Sequence, residues 1–388
     1  MAHFLIIIIY IAFVSLGLPD ALLGAAWPIM QGELGVPVSY AGVLALIIST
    51  GTVISSLLSD RMTKWLSCGK VTAISAAMTA VALIGFSVSD SYWMLCLWAI
   101  PYGLGAGSVD AALNNYVALH YASRHMSWLH CMWGLGASVG PYIMGWALTG
   151  GMTWNAGYQY VALVQMAVVA LLAFSLPAWK LPIADAETNA PAKALKLSQI
   201  FSLPGAKQVM LMFFCYCAVE QTAGLWAASY MVSHNGISGE EAAGFASLFY
   251  LGITVGRLVS GFVTMKLNDK QMIRLGSGIL AVGIAVMMLP FGTMATVAGL
   301  LLIGLGCAPI YPCVIHSTPD YFGPENSQAV IGVQMASAYV GICVMPPLFG
   351  LIANHISASL LPVYLAVILV VMVLMHELLV KRCCVKMR

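Results

Sequence analysis

The sequence predicts an all-α membrane protein with twelve transmembrane helices in two pseudo-symmetric halves of six. Of its 388 residues, 61% are hydrophobic and 8% are charged, whereas an ordinary soluble protein carries about 25% charged residues. A membrane crossing with its turn takes up about 30 residues, so this length accommodates about twelve crossings. Features of the first half also recur in the second. The composition excludes a soluble enzyme, a disordered chain and a nucleic-acid-binding protein.

The individual spans are assigned from apolar runs such as 4–10 and 363–375. These runs are continuous, so helices explain them better than the alternation over about ten residues that is typical of a transmembrane β-barrel. The helices predicted for the first half are 4–30, 38–59, 70–89, 91–119, 127–149 and 156–179. Those predicted for the second half are 206–233, 240–265, 271–289, 294–318, 327–354 and 358–380.

One polar segment predicts the domain organisation. Residues 180–205 combine mixed charge with three prolines and few large apolar residues. We interpret them as a cytoplasmic linker between an N-terminal six-helix half, 1–179, and a C-terminal six-helix half, 206–388. The second half ends in a short basic tail that is also predicted to be cytoplasmic.

The two halves repeat each other at a constant offset of 205 residues. Gly136 corresponds in this way to Gly341, and Pro141 corresponds to Pro346. Internal repeats of this kind build secondary transporters, in which the substrate binds between the halves near the bilayer midplane. The repeat therefore favours a transporter.

The distribution of basic residues predicts the orientation. Of the 16 Lys and Arg, all except Arg257 fall on one side of a twelve-helix arrangement. The loops assigned to the other side carry acidic residues and no Lys or Arg. By the positive-inside rule both termini are cytoplasmic, and we expect a multi-pass protein of the plasma (inner) membrane.

Short motifs along the helices carry a resemblance to a known family. The segments are GLPDALLGAAWP at 17–28, SLLSDRMTK at 56–64, GLGAGSVDAALNN at 103–115, YCAVEQ at 216–221 and GLGCAPIYP at 304–312. Together with the two halves of six helices, they resemble the major facilitator superfamily. Within it they are similar to the branch of fucose–proton symporters and sodium-dependent glucose transporters.

The resemblance implies a secondary active transporter. It would move a small neutral solute, a sugar above all, by alternating access coupled to symport of a proton or a sodium ion. The fourth helix departs from the sugar–proton pattern, because Asp110 stands where Glu is usual and two extra residues separate it from the GLG motif. We expect a monomer in the lipid bilayer, with no nucleic-acid partner.

Three carboxylates inside apolar spans are the candidates for cation or proton coupling: Asp20, Asp110 and Glu220. A charge at the centre of a membrane helix costs roughly 2.5–3.5 kcal/mol on insertion scales, so each acid needs a partner, water or a function. The resemblance implies that Asp110 carries the proton and that Asp20 binds or couples. The structural alternative for each acid is a hydrogen bond between helices.

Polar and aromatic side chains on the same helix faces are the candidate substrate ligands. Asn114 lies one turn from Asp110, so a proton and a hydroxyl could bind in one place. Trp226 and Tyr230 are four residues apart and could stack on the apolar face of a pyranose. The remaining candidates are Trp27, Asn115, His130, Trp133, Gln165, Gln221, Tyr311 and Gln334.

Three further residues are assigned to gating or structure. The resemblance implies a gating latch at Asp60 and Arg61, for which the alternative is a solvated cytoplasmic turn. Arg257 lies about two turns from the cytoplasmic end of its helix, and a structural ion pair or carbonyl bonding is favoured over substrate contact.

Other functions remain open at this point. The 23 Met suit an efflux transporter for amphipathic compounds or lipid headgroups, although Met also packs cores. His, Asp and Glu within the bilayer are compatible with a membrane-embedded enzyme, but no HExxH motif supports it, and a channel is less favoured still. The ten Cys form no CxxC pair. We therefore predict a transporter without catalytic residues, metal site or cofactor.

Overall fold

The computed structural model describes residues 2–37, 40–179 and 195–384, and throughout these ranges the regular structure is helical. The helices of the first half are α1 (Ala2–Asp20), α2 (Leu22–Glu33), α3 (Tyr40–Leu66), α4 (Cys68–Ser87), α5 (Tyr92–His120), α6 (Ser123–Thr149) and α7 (Trp154–Ser175). Those of the second half are α8 (Leu197–Ser202), α9 (Ala206–Tyr230), α10 (Gly239–Val263), α11 (Asp269–Met287), α12 (Gly292–His316), α13 (Thr318–Phe322), α14 (Pro324–His355) and α15 (Leu361–Cys384).

The first membrane crossing is broken in the middle. Pro19 lies in the last turn of α1, which ends at Asp20, and α2 begins at Leu22. Proline has no backbone N–H and its ring crowds the preceding turn, so it weakens a helix. Together α1 and α2 form one apolar span, Phe4–Trp27. The break places the Asp20 carboxylate at a helix end inside the span.

Twelve crossings are present in the described part of the chain, six before and six after the predicted linker, as the sequence predicts. Nine helical segments are both long and apolar enough to span a membrane. The helices α5, α6 and α10 have 29, 27 and 25 residues, which exceeds the roughly 20 residues that a span requires. Of the predicted linker, 180–194 lies outside the described residues, and Leu197–Ser202 forms the short helix α8.

The chain divides into two compact units. The first contains residues 1–116 and 129–195, and the second contains 117–128 and 196–388. Each unit holds one of the two polar clusters described below.

The repeat in the sequence marks an equivalent helix contact in each unit. In the first unit, a Cβ added to Gly136 of α6 would lie 2.0 Å from the carbonyl oxygen of Val14 on α1. In the second, a Cβ added to Gly341 of α14 would lie 2.7 Å from the carbonyl oxygen of Phe214 on α9. Small residues let membrane helices approach closely. The two glycines at an offset of 205 residues therefore serve the same packing purpose.

The GLG motifs of α5 and α12 form a second equivalent contact. A Cβ on Gly103 would lie 2.2 Å from the carbonyl oxygen of Ile48, and a Cβ on Gly304 would lie 2.2 Å from that of Phe249. These contacts join α3 to α5 in one unit and α10 to α12 in the other. Any larger residue at either glycine would have to push backbone apart.

Candidate functional site

Asp20 is the first of two carboxylates that lie together in the first unit. It accepts hydrogen bonds from the indole N–H of Trp133 on α6 at 2.8 Å and from the hydroxyl of Tyr102 on α5 at 3.2 Å. Its side chain is accessible. A carboxylate that faced lipid would be costly, so we interpret this accessible surface as facing water.

Asp110 is the second carboxylate, and it is part of a hydrogen-bonded chain. The Asn114 amide nitrogen, one turn later on α5, donates to Asp110 Oδ1 at 2.8 Å and to the Asp110 backbone carbonyl at 3.0 Å. The Asn114 amide oxygen lies 3.0 Å from Nε2 of His130 on α6. Asp110 is half-buried, whereas Asn114 and His130 are buried.

These residues form one group, which we call the acidic cluster: Asp20, Tyr102, Asp110, Asn114, His130 and Trp133. The two carboxylates are close enough to repel each other electrostatically. In the described part of the chain, neither carboxylate is ion-paired with a basic side chain. The hydrogen bonds shown to them come from phenol, indole and amide groups. When both acids are ionised, their negative charge has no basic counterion among the ion pairs shown. The acidic cluster is therefore suited to bind a cation.

Glu220 lies in the second unit and has a different environment. It accepts a hydrogen bond from Tyr216, one turn earlier on α9. Arg257 of α10 is buried, and its guanidinium lies 3.6 Å from a Glu220 carboxylate oxygen. The Tyr311 ring packs edge-on against Tyr216, with centroids 5.8 Å apart. The charge of Glu220 is thus balanced by a fixed cation, unlike the charges of the acidic cluster.

Several predicted substrate ligands are buried in contacts between helices. Gln165 is fully buried and donates to the Thr79 hydroxyl at 3.0 Å. Gln334 is fully buried and accepts from the Thr318 hydroxyl at 3.1 Å. Tyr230 is also buried. In this conformation these three side chains hold helices together.

Two more predicted ligands are also buried, in the first unit. Trp27 packs edge-on against Tyr92, with ring centroids 6.5 Å apart, within an aromatic core at the end of the unit that contains α2. Asn115 is buried beside Asn114 on α5.

The partly accessible candidates of the second unit are Gln221, Trp226 and Tyr311. The Trp226 indole N–H donates to the backbone carbonyl of Pro346 at 2.9 Å, and its ring packs edge-on against Phe349. The Trp226 ring is therefore held in one orientation by α14, while part of its surface is left open.

The predicted gating pair does not form an internal contact. Asp60 is buried in the last third of α3 and pairs with Lys64, one turn later, at 2.9 Å. Arg61 is exposed. The basic partner of Asp60 in this structure is Lys64 rather than Arg61.

Two members of these clusters were not singled out from the sequence. Tyr102 stands immediately before the GLG motif and eight residues before Asp110, so about two helical turns bring both onto one side of α5. Tyr216 stands four residues before Glu220, the spacing at which helical side chains meet. Both spacings are visible in the sequence.

Twelve crossings, a two-fold repeat and polar clusters inside the spans define a multi-pass helical transporter. The family model of the Major Facilitator Superfamily matches residues 9–233 and 209–382, and the chain belongs to this superfamily. Its relatives and its fold are those of transporters rather than enzymes.

Relatives and solved structures agree with this assignment. The uncharacterized transporter y4wD of Sinorhizobium fredii is 26% identical, over 86% of this chain and 87% of that protein. The glucose/mannose transporter GlcP of Bacillus subtilis is 21% identical, over 89% of this chain and 87% of that protein. The transporter FucP in its outward conformation superposes with a TM-score of 0.79 at 15% identity, over 95% of this chain and 98% of that one.

Proposed function

We propose that this chain is a secondary active transporter that takes up a small neutral solute, most of all a sugar, together with a proton. Alternating access carries the solute across the plasma membrane, with both termini in the cytoplasm and a monomer as the working unit. A sodium ion is the rival coupling ion. Either ion would supply a positive charge to a site whose two carboxylates have no basic partner among the described ion pairs.

The observation that carries this proposal is the charge of the acidic cluster. Asp20 and Asp110 lie within electrostatic reach of each other, and the bonds shown to them come from neutral donors. A proton bound at such a pair relieves the mutual repulsion of the two carboxylates. An anionic solute would add to that repulsion, so a neutral solute with a cation is favoured.

A sugar is favoured among neutral solutes for two reasons. The partly accessible side chains in the two units include the indoles of Trp133 and Trp226 and the amide of Gln221, which suit the apolar face and the hydroxyls of a pyranose. Relatives in sequence and fold include a glucose/mannose transporter and a proton:xylose symporter.

The transport cycle follows from this charge balance. Protonation of Asp110, or of Asp20 beside it, removes one of the two negative charges of the acidic cluster and permits the solute to bind from outside. Release of the solute on the inside exposes the acid to water again, and the proton leaves. The empty transporter then returns to the outward state with its carboxylates ionised.

The experiment is uptake of radiolabelled D-glucose, L-fucose and D-xylose into proteoliposomes. Separate arms impose a proton gradient that is acidic outside, a sodium gradient, and no gradient. The proposal predicts accumulation of at least one of these sugars in the proton arm alone. Accumulation in the sodium arm alone would replace the proton by sodium. Failure of all three sugars to accumulate in any arm would contradict the assignment of a sugar as substrate.

A further inference from the structure

The hydrogen bonds around Asn114 show that one ring nitrogen of His130, Nε2, carries a hydrogen. The backbone carbonyl of Asp110 is an acceptor only, and it lies 3.0 Å from one end of the Asn114 amide. That end must therefore be the NH₂ group, which leaves the amide oxygen facing His130 Nε2 at 3.0 Å. An amide oxygen cannot donate, so the Nε2 atom of His130 carries a hydrogen.

The His130 ring is itself held in place. The side chain is 5% exposed, and the ring lies edge to face with Phe13 of α1, with centroids 5.5 Å apart and an interplanar angle of 89°. A ring that is buried and packed in this way points its Nε2–H at one fixed place. Burial and packing therefore fix the geometry of the hydrogen bond to Asn114, unlike that of a hydrogen bond between mobile surface side chains.

We propose that His130 is a positioning residue for the cation site: its Nε2–H holds the Asn114 amide in the orientation that donates to the Asp110 carboxylate. This inference rests on the proposed function, in which Asp110 exchanges the coupled proton. The sequence suggested instead that His130 binds substrate. Because His130 is buried and bonded to Asn114, we assign it an indirect role, in which it acts through Asn114 and does not contact the solute.

The orientation of Asn114 matters because the two ends of an amide have similar shapes and opposite polarity. An N–H that donates to a carboxylate favours the ionised form. Without His130, the oxygen end of the amide loses its donor, and the contacts shown hold the amide only through its NH₂ end. The amide can then shift away from the carboxylate, and a weaker N–H donor favours the protonated acid. Loss of the His130 donor is therefore expected to make Asp110 hold its proton up to a higher pH.

The effect of the His130 N–H on the proton affinity of Asp110 can be measured apart from the effects of the other neighbouring groups. Asp20 of α1 acts on Asp110 through its charge, and Tyr102 of α5 donates to Asp20. Helix α3 packs on α5 beside the Gly107 backbone with the neutral hydroxyls of Ser55 and Ser56. The test below changes none of these groups.

The test compares four variants by the pH dependence of proton-driven sugar uptake. His130→Leu removes the donor, and His130→Asn is a polar variant whose amide is too short to reach Asn114. Both are expected to shift the profile by about one pH unit towards higher pH, which is a tenfold change in proton affinity. His130→Gln places an amide N–H near the position of Nε2 and is expected to keep the wild-type profile. The control Tyr142→Phe changes a side chain of α6 that is 79% exposed and is expected to leave the pH midpoint unchanged.

A second readout needs no transport. In purified protein, the infrared carboxyl band that is lost in Asp110→Asn is titrated in the wild type and in the His130 variants. A shifted titration midpoint in His130→Leu or His130→Asn, but not in His130→Gln, supports the inference. This result stands even if uptake does not depend on the proton gradient and the proposed coupling fails. An unchanged titration in His130→Leu and His130→Asn would overturn it. A His130→Gln profile that matches His130→Leu would also overturn it, because the imidazole's own ionisation would then be what matters.

Discussion

The indole N–H of Trp133 donates to the Asp20 carboxylate across 2.8 Å, although the two residues are 113 positions apart. Trp133 lies one turn beyond His130 on α6, and His130 bonds to the Asn114 amide that supports Asp110. One helix therefore supplies a contact to the surroundings of each of the two carboxylates. A movement of α6 would change the surroundings of both acids at once.

Trp133→Phe tests this relationship. The variant keeps an aromatic ring but loses the N–H, so Asp20 retains the bond shown from Tyr102. A hydrogen bond to a charged group contributes about 1.5–3 kcal/mol, and we expect at least a tenfold loss in proton-driven uptake. The measurement is initial uptake rate in proteoliposomes. The control is Trp146→Phe, which changes an indole of α6 that is 60% exposed, and equal losses in both variants would contradict the relationship.

The ion pair of Glu220 with Arg257 predicts a stability effect rather than a coupling effect. Removing one partner of a buried pair leaves an uncompensated charge and costs about 3–5 kcal/mol. We expect Arg257→Met to lower the thermal unfolding temperature of the purified protein strongly. The double variant with Glu220→Gln is expected to recover most of that loss.

The matched control for this cycle is an exposed ion pair. Arg274 and Glu377 are 2.7 Å apart, and their side chains are 53% and 45% exposed. Such pairs contribute about 0–1 kcal/mol, so Arg274→Met is expected to leave the unfolding temperature nearly unchanged. If Arg257→Met behaves like Arg274→Met, the buried pair does not stabilise the second unit.

Gly136 is predicted to tolerate no side chain. Its missing Cβ would lie 2.0 Å from a backbone oxygen of α1, and backbone cannot move aside as a flexible side chain can. We expect Gly136→Ala to abolish a monodisperse peak in fluorescence-detected size-exclusion chromatography. Gly145, on the same helix, has open space at this position. Gly145→Ala should therefore give the wild-type peak, and a normal peak for Gly136→Ala would contradict the helix contact.

The ion pair of Asp60 with Lys64 predicts that Lys64, rather than Arg61, contributes to stability and uptake. Lys64→Met leaves the buried carboxylate without its ion-pair partner, and an unsatisfied buried polar group costs about 1–3 kcal/mol. We expect Lys64→Met to lower both the unfolding temperature and the uptake rate. Arg61→Met changes an exposed side chain and should leave the unfolding temperature unchanged. The reverse order of effects would favour Arg61 as the functional residue.

The sequence was sufficient for the fold because membrane helices are specified by local features. Hydropathy, span length and the offset between Gly136 and Gly341 depend on the residues alone. The break after Pro19 was also implicit in the sequence, but the predicted helix 4–30 passed over it. A proline in the last turn of a helix can be tolerated by neighbours in a membrane, so its effect depends on tertiary packing.

The candidate site could be predicted only in part. The acids were recognisable because a charge in an apolar run is conspicuous, and Asn114 was recognisable by its spacing from Asp110. The partners Tyr102 and Thr79 were missed because they come from other turns or helices. The burial of Gln165 and Gln334 in helix contacts depends on which face of each helix meets a neighbour, and a continuously apolar helix does not reveal that face.

The most direct test of the central claim is sugar transport by Asp110→Asn in proteoliposomes. The variant is neutral at position 110 at every pH, like the protonated wild type. Exchange of internal and external sugar should therefore continue, while accumulation driven by the proton gradient should be lost. As a control, the double variant Glu220→Gln with Arg257→Met should keep its dependence on the gradient, because it removes the ion pair of the second unit as a whole and leaves the acidic cluster unchanged. Accumulation that persists at the wild-type level in Asp110→Asn would contradict the claim that this carboxylate carries the coupled proton.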